Sequence, residues 1–471
     1  MRLKNEGFCV YPSSIKQVDN AEIALARVAT GKVLVLSMPL SGIRVEPLGS
    51  IFIARLNYET AVNLMRFIPE LRPRVLPDGP SFGFGDRLGL ATPGHVRALK
   101  EAKVFPVLAQ QSMRENARTG RTYVQVLIDA LFGALQESYT GGFAADADHL
   151  KSLDQAKEAA KLGYTFFTCD PSDFLVPVEK LSPQESKQYI QKSVWDKLKK
   201  EYIGPRFVIP GLGELSFGEE ELLRIAIKYW RALGFAEEMY KALTKELPEG
   251  FDFELSVDET AQPTMVKEHL FLALELCRRG IKITSLAPRF PGAMEKAVDY
   301  RGDLEEFRRA VRAHAAIAQK FGPYRLSLHS GSDKWSLYPI FAKETQGVWH
   351  VKTAGTSYLV ALRVLARVSP ALFREVFLLA CECFPLDCQS YHVSADPRSL
   401  PKPFELNDAA LPKLFEDPAA RQVLHVTFGS VLQKFGDDIK RELLIYEENY
   451  YQALAEHFGR HLKALGVKKD V

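Results

Sequence analysis

Gly141–Lys151 reads GGFAADADHLK. The apolar run Phe143–Ala144–Ala145 leads into Asp146, Asp148 and His149, and Ser152 with Gln155 then opens a helical pattern that stops at Gly163. This is the pattern of a buried strand that ends on a carboxylate and an imidazole, followed by a capped helix. At a strand's C-terminal end, side chains point into the mouth of an α/β fold. A neighbouring acid and histidine there can supply a general base and a metal ligand. The plainer reading is that Asp148 and His149 only brace the next loop. What decides between the two is whether the rest of the chain delivers more such residues to the same mouth.

The chain has 471 residues, more than one minimal domain and enough for one large domain with additions. Hydrophobic residues at 46% and charged ones at 25% are ordinary for a soluble globular protein. A formal charge of +3 gives no broad footprint for nucleic acid, so no nucleic-acid partner is expected. No apolar run is long enough to span a bilayer, and MRLKNEGFCVYPSS lacks the apolar core of a signal peptide. The six cysteines form no disulfide-like framework, which reads as a reduced, cytoplasmic protein with no membrane partner. Cys381, Cys383 and Cys388 cluster in CECFPLDC without a fourth ligand at a zinc-type spacing. They read as structural cysteines rather than a metal knuckle.

Residues 1–80 predict an N-terminal α+β extension. GKVLVLSMPL and SIFIARL read as strands, YETAVNLMRFIPEL as a helix, and the proline-rich RPRVLPDGP as a boundary. A rhythm of strand and helix then runs from Ser81 to residue 368. The strands are SFGFGD, VFPVLAQ, the opening stretch, YTFFTCD, FDFELSVDE, ITSLAP, RLSLHSGSD and VWHVKTAGT. Thr92 is expected to cap the helix after the first, with Pro93 at its first position. The charged stretch from about 171 to 250 reads as a helical insertion, a lid or an oligomer contact, which leaves a homo-oligomer open. Residues 369–471 read as a C-terminal helical region with a basic, frayed end. About eight alternating units argue for an α/β fold of the (β/α)8 TIM-type barrel class. A doubly wound open sheet is the runner-up. Its glycine-rich phosphate turn is matched only weakly by GFGDRLG at Gly83–Gly89, where an aspartate intervenes.

A barrel brings every strand's C-terminus to one mouth. Asp86, Gln110, Asp148, His149, Asp170, Asp258, Glu259, Arg289, His329 and Lys352 all fall directly after apolar strand cores. One polar residue there is a loop; a series predicts a polar site for a polar, anionic small molecule. His149 and His329 are the metal candidates. Two neutral imidazoles with oxygen ligands suit a divalent cation such as Zn²⁺, Mn²⁺, Co²⁺ or Ni²⁺. Glu259, His350 and His392 are open candidates for a third ligand. Ser330–Gly331–Ser332 and Thr353–Ala354–Gly355–Thr356 follow adjacent late strands and can let backbone N–H groups approach a phosphate or carboxylate. Arg289, Ser330, Lys334, Lys352 and Thr353 are therefore the expected substrate contacts. For each basic residue taken singly, a surface salt bridge is the competing explanation. The histidines in helical patterns, His269, His314, His425, His457 and His461, read as surface or packing residues.

At these residues the chain resembles the tagaturonate epimerase family. The resembling segments are FGFGDRLGLATPGH, FAADADHLKS, FELSVDET, SLAPRFPGAMEKAVDYRGD, LSLHSGSDKWSLYP and HVKTAGTSYL, in order across most of Ser81–Leu359. The resemblance implies a metal-dependent sugar-acid epimerase that interconverts the hexuronates D-tagaturonate and D-fructuronate. It implies Asp148 as proton acceptor, His149 and His329 as metal ligands, and Glu259 as proton donor. DADH followed by LSLHSGS is also similar, more loosely, to class II aldolases. Those carry a further histidine on the strand before the late one, where this chain reads ITSLAPRF.

The two hexuronates differ at C4, β to the C2 ketone, where the carbonyl does not acidify the hydrogen. A retro-aldol route avoids that hydrogen: a base takes the C4 hydroxyl proton, the C3–C4 bond breaks, and it re-forms on the other face of the aldehyde. Transient oxidation at C4 by a nicotinamide is the rival, without a convincing dinucleotide fingerprint. The alternatives for the whole chain are a class II-type aldolase, a tagatose/fructose 4-epimerase, and a non-catalytic sugar-acid-binding barrel.

Overall fold

The computed structural model describes residues 8–29, 31–181 and 188–468. An antiparallel sheet comes first: β1 (Cys9–Val10), β2 (Lys16–Val18), β3 (Ala21–Val28), β4 (Gly31–Leu36), β5 (Glu46–Leu48) and β6 (Ile51–Arg55). Its order is β1-β3-β4-β6-β5, with β2 beside β3. Sequence reading found β4 and β6 but not the central β3. Buried on both faces through Ile23–Ala26, AEIALARV lacks the alternation of a half-exposed strand. The helix Tyr58–Phe67 follows, capped by the Asn57 side chain, which accepts the Thr60 N–H.

The barrel strands are β7 (Ser81–Phe84), β8 (Phe105–Ser112), β9 (Ala144–Leu150) and β10 (Phe166–Cys169). After a hairpin, β11 (Phe207–Ile209) and β12 (Gly213–Leu215), come β13 (Asp252–Val257), β14 (Ser285–Pro288), β15 (Arg325–Leu328) and β16 (Trp349–Thr353). The eight pair in parallel, and β16 returns to β7 with Lys352 opposite Gly83. Closure leaves no sheet edge and excludes the doubly wound alternative. Gly85, just past β7, is required at its place: a Cβ there would lie 2.5–2.7 Å from the backbone of Thr353 and Ala354 at the end of β16.

Between β10 and β13 lie the hairpin and the helices Lys192–Tyr202 and Glu219–Glu246. The longer helix packs against Leu153–Lys161 and Val266–Arg278, the helices on either side in the barrel's outer ring. The start of the helix expected at 184–187 and the chain ends at 1–7 and 469–471 lie outside the described residues.

One capping expectation is corrected. The helix Thr92–Ala98 has Ala91 at its N-cap position, without a side-chain cap, and Pro93 at its second residue. Asp86 braces the turn ahead of the helix, its carboxylate accepting the N–H groups of Leu88, Gly89 and the N-cap residue Ala91. The 72–80 boundary closes the barrel floor. Leu76 packs with Val107, Ala144 and Phe166, and Arg325 donates to the Pro77 and Gly79 carbonyls. The C-terminal helices Pro370–Asp387, Pro418–Val426, Phe428–Ile445 and Glu447–Ala464 wrap the other side. The last of them packs on Thr92–Ala98 and on Thr356–Val368.

Candidate active site

Strand alternation loads the barrel interior with polar groups. From β9 come Asp146 and Asp148; from β13 Glu254, then Ser256; from β16 His350 and Lys352. The Lys352 ammonium sits 2.7 Å from Asp146 Oδ2, 2.8 Å from Asp148 Oδ1 and 3.0 Å from Glu254 Oε1, and donates to Thr168 Oγ1. Burying one cation among three carboxylates is tolerable because each partner is charged and hydrogen-bonded. Burial pulls down the Lys352 pKa, but the charges of Asp146 and Asp148 outweigh it and hold the ammonium well above the usual lysine value. Burial pushes Asp146 up to about 7 despite Lys352. Asp148 and Glu254 stay well below the carboxylate range: burial opposes ionisation, but His149 and Lys352 beside one, and Lys352 and His329 beside the other, prevail.

A bulge decides where His149 points. Regular alternation would turn it out of the barrel, opposite to Asp148. Instead Ala147 and Leu150 of β9 face Phe167 and Cys169 of β10, three steps against two, and His149 takes a left-handed φ of 55°. The extra residue swings the imidazole into the mouth beside Asp148. A left-handed non-glycine residue carries strain, and Ser330 (φ 52°) and Ala297 (φ 61°) share it around the same mouth.

His149, Asp258 and His329 converge there, each offering a ligand atom within 4.8 Å of the others. Each imidazole is braced from behind. His149 Nδ1 lies 2.8 Å from Asp148 Oδ1, and His329 Nε2 lies 2.7 Å from Glu254 Oε1. A carboxylate behind one ring nitrogen fixes the tautomer and aims the other lone pair forward. His329 Nδ1 is buried with no hydrogen-bond partner and faces Asp258 Oδ2 at 3.4 Å. Burial alone would lower the His329 pKa; Asp258 and Glu254 raise it to about 10. A field that holds a proton on an imidazole also attracts a cation. Two aimed imidazoles and a carboxylate therefore fit a divalent metal.

Of the open third ligands, His350 is placed elsewhere: its Nδ1 meets Ser81 Oγ at 2.9 Å, its ring packs on Phe166, and burial drops its pKa to about 3. His392 lies exposed on the outer rim. Glu259 is exposed beside Arg114 at 3.6 Å and forms a second group with His149 and Asp170. In a further group, Asp333, His457 and His461, Asp333 Oδ1 has no hydrogen-bond partner among the described residues and faces His457 Nε2 at 3.0 Å, while the other atoms are largely engaged by protein. Asp333 Oδ2 accepts from Arg421 and Thr356, and His461 Nε2 accepts the Asp333 N–H.

An inner cavity of about 80 Å³ above the barrel floor shares its wall with an outer one of about 190 Å³. Ser330 lines both, Lys352 the inner and Arg289 the outer. Lys334 and Thr353 line neither. The Lys334 ammonium donates to the carbonyls of Glu295, Val298 and Ser332, and the Thr353 hydroxyl to that of Gly83. The N–H groups of the Ser330–Ser332 turn are partly spent too, Gly331 donating to the Lys352 carbonyl. Sequence reading missed Asp258 as the third member, Glu254 bracing His329, Asp146 pairing Lys352, and the wall residues Lys296, Tyr391 and His425. His425 was read as a surface or packing residue; its ring instead stands against Gly355 at the cavity.

A closed (β/α)8 barrel with two histidines and a carboxylate at its strand C-termini defines an enzyme scaffold for a small polar substrate. The tagaturonate epimerase (UxaE) family model matches residues 11–465. A tagaturonate/fructuronate epimerase of Thermotoga maritima is 43% identical over 98% of this chain and 97% of its own. The native crystal structure of fructuronate-tagaturonate epimerase UxaE from Cohnella laeviribosi superposes with a TM-score of 0.94 at 36% identity, covering 99% of this chain and 98% of that one. A glycerol complex of the same Cohnella enzyme gives 0.93 at 35%, covering 98% and 97%. The chain belongs to the tagaturonate epimerase family and is an isomerase.

Proposed function

We propose that the protein is a metal-dependent 4-epimerase that interconverts D-tagaturonate and D-fructuronate. The observation that carries the reading is the convergence of His149, Asp258 and His329, each imidazole braced by a carboxylate. The substrate pair is that named for the Thermotoga and Cohnella relatives. A divalent cation held by those three residues would act as a Lewis acid toward the C2 ketone and an adjacent hydroxyl.

The protein's own groups then have a proton to move at the C4 oxygen. Asp148, kept ionised by His149 and Lys352, takes the C4 hydroxyl proton. The C3–C4 bond electrons pass into the C2–C3 unit as an enediolate, and C4 becomes an aldehyde. The aldehyde turns, the bond re-forms on its other face, and Glu259 on the rim returns a proton to the C4 oxygen. Lys352 anchors Asp148, while Arg289 and Ser330 contact the substrate from the outer cavity. The nicotinamide route is disfavoured on local grounds: in GFGDRLG the N–H groups of Leu88 and Gly89 are already taken by Asp86. No helix among the described residues is long and apolar enough to cross a membrane. All six cysteines are free, which fits a cytoplasmic setting.

The test is D-tagaturonate deuterated at C4, incubated with metal-loaded protein and followed by NMR, with and without a chelator. Fructuronate that retains the label, formed only without chelator, is expected. Washout of the C4 label would exclude the retro-aldol route, and absence of fructuronate would exclude the reading as a whole.

A further inference from the structure

Four cationic side chains line the inner cavity: Arg87, Arg114, Lys296 and Lys352. Three are matched. Arg87 lies 2.8 Å from Glu115, Arg114 lies 3.6 Å from Glu259, and Lys352 holds its three carboxylates. Among the described residues Lys296 makes no ion pair. Its ammonium donates only to Ser330 Oγ, at 2.6 Å, and it lines the outer cavity as well as the inner one. We propose that Lys296, with the Ser330 hydroxyl, is the counter-ion of the substrate carboxylate and sets the preference for hexuronates over neutral ketohexoses. The inference rests on the function proposed above and deepens it.

The loop that carries Lys296 is built to hold it. Ala297 next to it takes a left-handed φ of 61°. The Lys334 ammonium grips the carbonyls of Glu295 and Val298 on either side, and Arg421 Nε donates to the Ala297 carbonyl. Lys334, expected from sequence to touch substrate, thus acts one step removed, by fixing the residue that does. A side chain ordered before the ligand arrives loses little entropy on binding.

Charge gives the same answer. The inner cavity presents the carboxylates Asp148 and Asp258, which repel an incoming carboxylate. Burial and the like charge of Arg114 lower the pKa of the ammonium on the wall against the smaller opposing effects of Asp258 and Glu115, and a ligand anion beside it offsets that loss. A substrate with a ketone at one end and a carboxylate at the other therefore has one favourable orientation. Its carboxylate lies at Lys296 and Ser330, and its keto end at His149, Asp258 and His329.

The experiment compares wild type, Lys296→Met, Lys296→Gln, Lys296→Arg and Arg289→Gln as metal-loaded full chains. Steady-state kinetics on D-tagaturonate are paired with calorimetric binding of D-galactonate, a non-reacting hexonate. Far-UV circular dichroism and melting identify the folded variants. Lys296→Met and Lys296→Gln are expected to raise KM and lower kcat/KM roughly tenfold to a hundredfold, the scale of one lost charge-assisted hydrogen bond, with kcat changed far less. Galactonate binding should weaken by the same factor, and Lys296→Arg should keep most of it. Unchanged KM and galactonate affinity in Lys296→Gln would overturn the proposal. So would a loss confined to kcat, or a loss seen in Arg289→Gln but not at Lys296. Wild type that binds galactonate but does not epimerise tagaturonate would refute the function proposed above and leave the carboxylate site standing.

Discussion

Replacing Lys352 by methionine removes the ammonium that three buried carboxylates share, at nearly constant side-chain length. Each contact at about 2.8 Å represents roughly 6 kcal/mol of gross attraction at an effective dielectric of about 20. Desolvation of the ammonium offsets most of that, so the net cost of breaking the cluster is about 3–5 kcal/mol. The loss should depend on pH in a particular direction. Asp146 already has its pKa raised to about 7, above its unfolded value, so the folded state holds its proton more tightly. The contribution of Asp146 to stability therefore falls as pH rises from about 4 to 7 in the wild type. Without Lys352 the Asp146 pKa rises further, and the fall continues beyond pH 7. Urea unfolding at pH 6, 7 and 8.5 should show the smallest difference between the proteins at pH 6 and the largest at 8.5. A difference below about 1 kcal/mol at all three, or one independent of pH, would refute the argument that Lys352 neutralises the barrel interior.

His149→Ala, Asp258→Asn and His329→Ala should each keep the fold and lose bound metal and turnover, as read by elemental analysis and NMR assay; full occupancy in any variant removes that residue from the ligand set. Asp148→Asn and Glu259→Gln should slow turnover at least about a hundredfold, and Glu259→Gln should retain metal, whereas its release would move Glu259 into the ligand set with Asp170. The buried histidines His95 and His314 (pKa lowered to about 4) and His350 and His461 (to about 3) stay neutral in the fold and charge when it opens. The unfolded chain then binds more protons below about pH 6.5, so stability should fall on acidification from there toward pH 4, by up to about 1.4 kcal/mol per unit per group; urea melts at pH 7 and pH 5 check it, and equal midpoints would contradict it.

The barrel was legible because its signals are local. Short apolar runs and turn residues recur at a βα spacing, and each run ends on a polar residue. The two histidines that meet at the mouth, His149 and His329, were legible for the same reason. The place of Asp258 beside them was obscured by reading FDFELSVDE as apolar followed by Asp258–Glu259, without extending the alternation. Carried on from Glu254 and Ser256, a period of two puts Asp258 on the inner face and Glu259 off it. The same count exposes Asp146 with Asp148, and His350 with Lys352. His149 breaks the count because the bulge opposite β10 adds a residue, which sequence periodicity cannot announce. Lys334 and Thr353 stand where a late-strand anion site would lie. Whether such groups face the cavity or bond to neighbouring carbonyls depends on how the 291–300 loop and β7 pack against them. Tyr391 and His425 were out of reach, because they reach the mouth only through the folding-back of the C-terminal helices.

A floor made of the barrel's own core ties the chemistry to the stability of the fold. Barrel interiors are usually filled by branched aliphatic side chains; here Asp146, Asp148, Glu254 and Lys352 occupy that space. The arrangement should be strained in the direction of its weakest carboxylate, which the raised pKa marks as Asp146. Asp146→Asn removes that charge and leaves Lys352 with Asp148 and Glu254. The amide oxygen can face the ammonium, and its N–H can donate to Thr168 Oγ1, which now bonds Asp146 Oδ1 at 3.0 Å. Near pH 4 the variant should match the wild type within about 1 kcal/mol, because Asp146 is then largely protonated in both the folded and the unfolded chain, and the gap should open between about pH 4 and 7. Above pH 7 it should be the more stable of the two, since the wild type alone must ionise a buried acid. The histidines contribute equally to both proteins, so the difference between their pH–stability curves isolates Asp146. A variant destabilised by more than about 3 kcal/mol at every pH would show that Lys352 needs all three carboxylates, and that the cluster is balanced rather than strained.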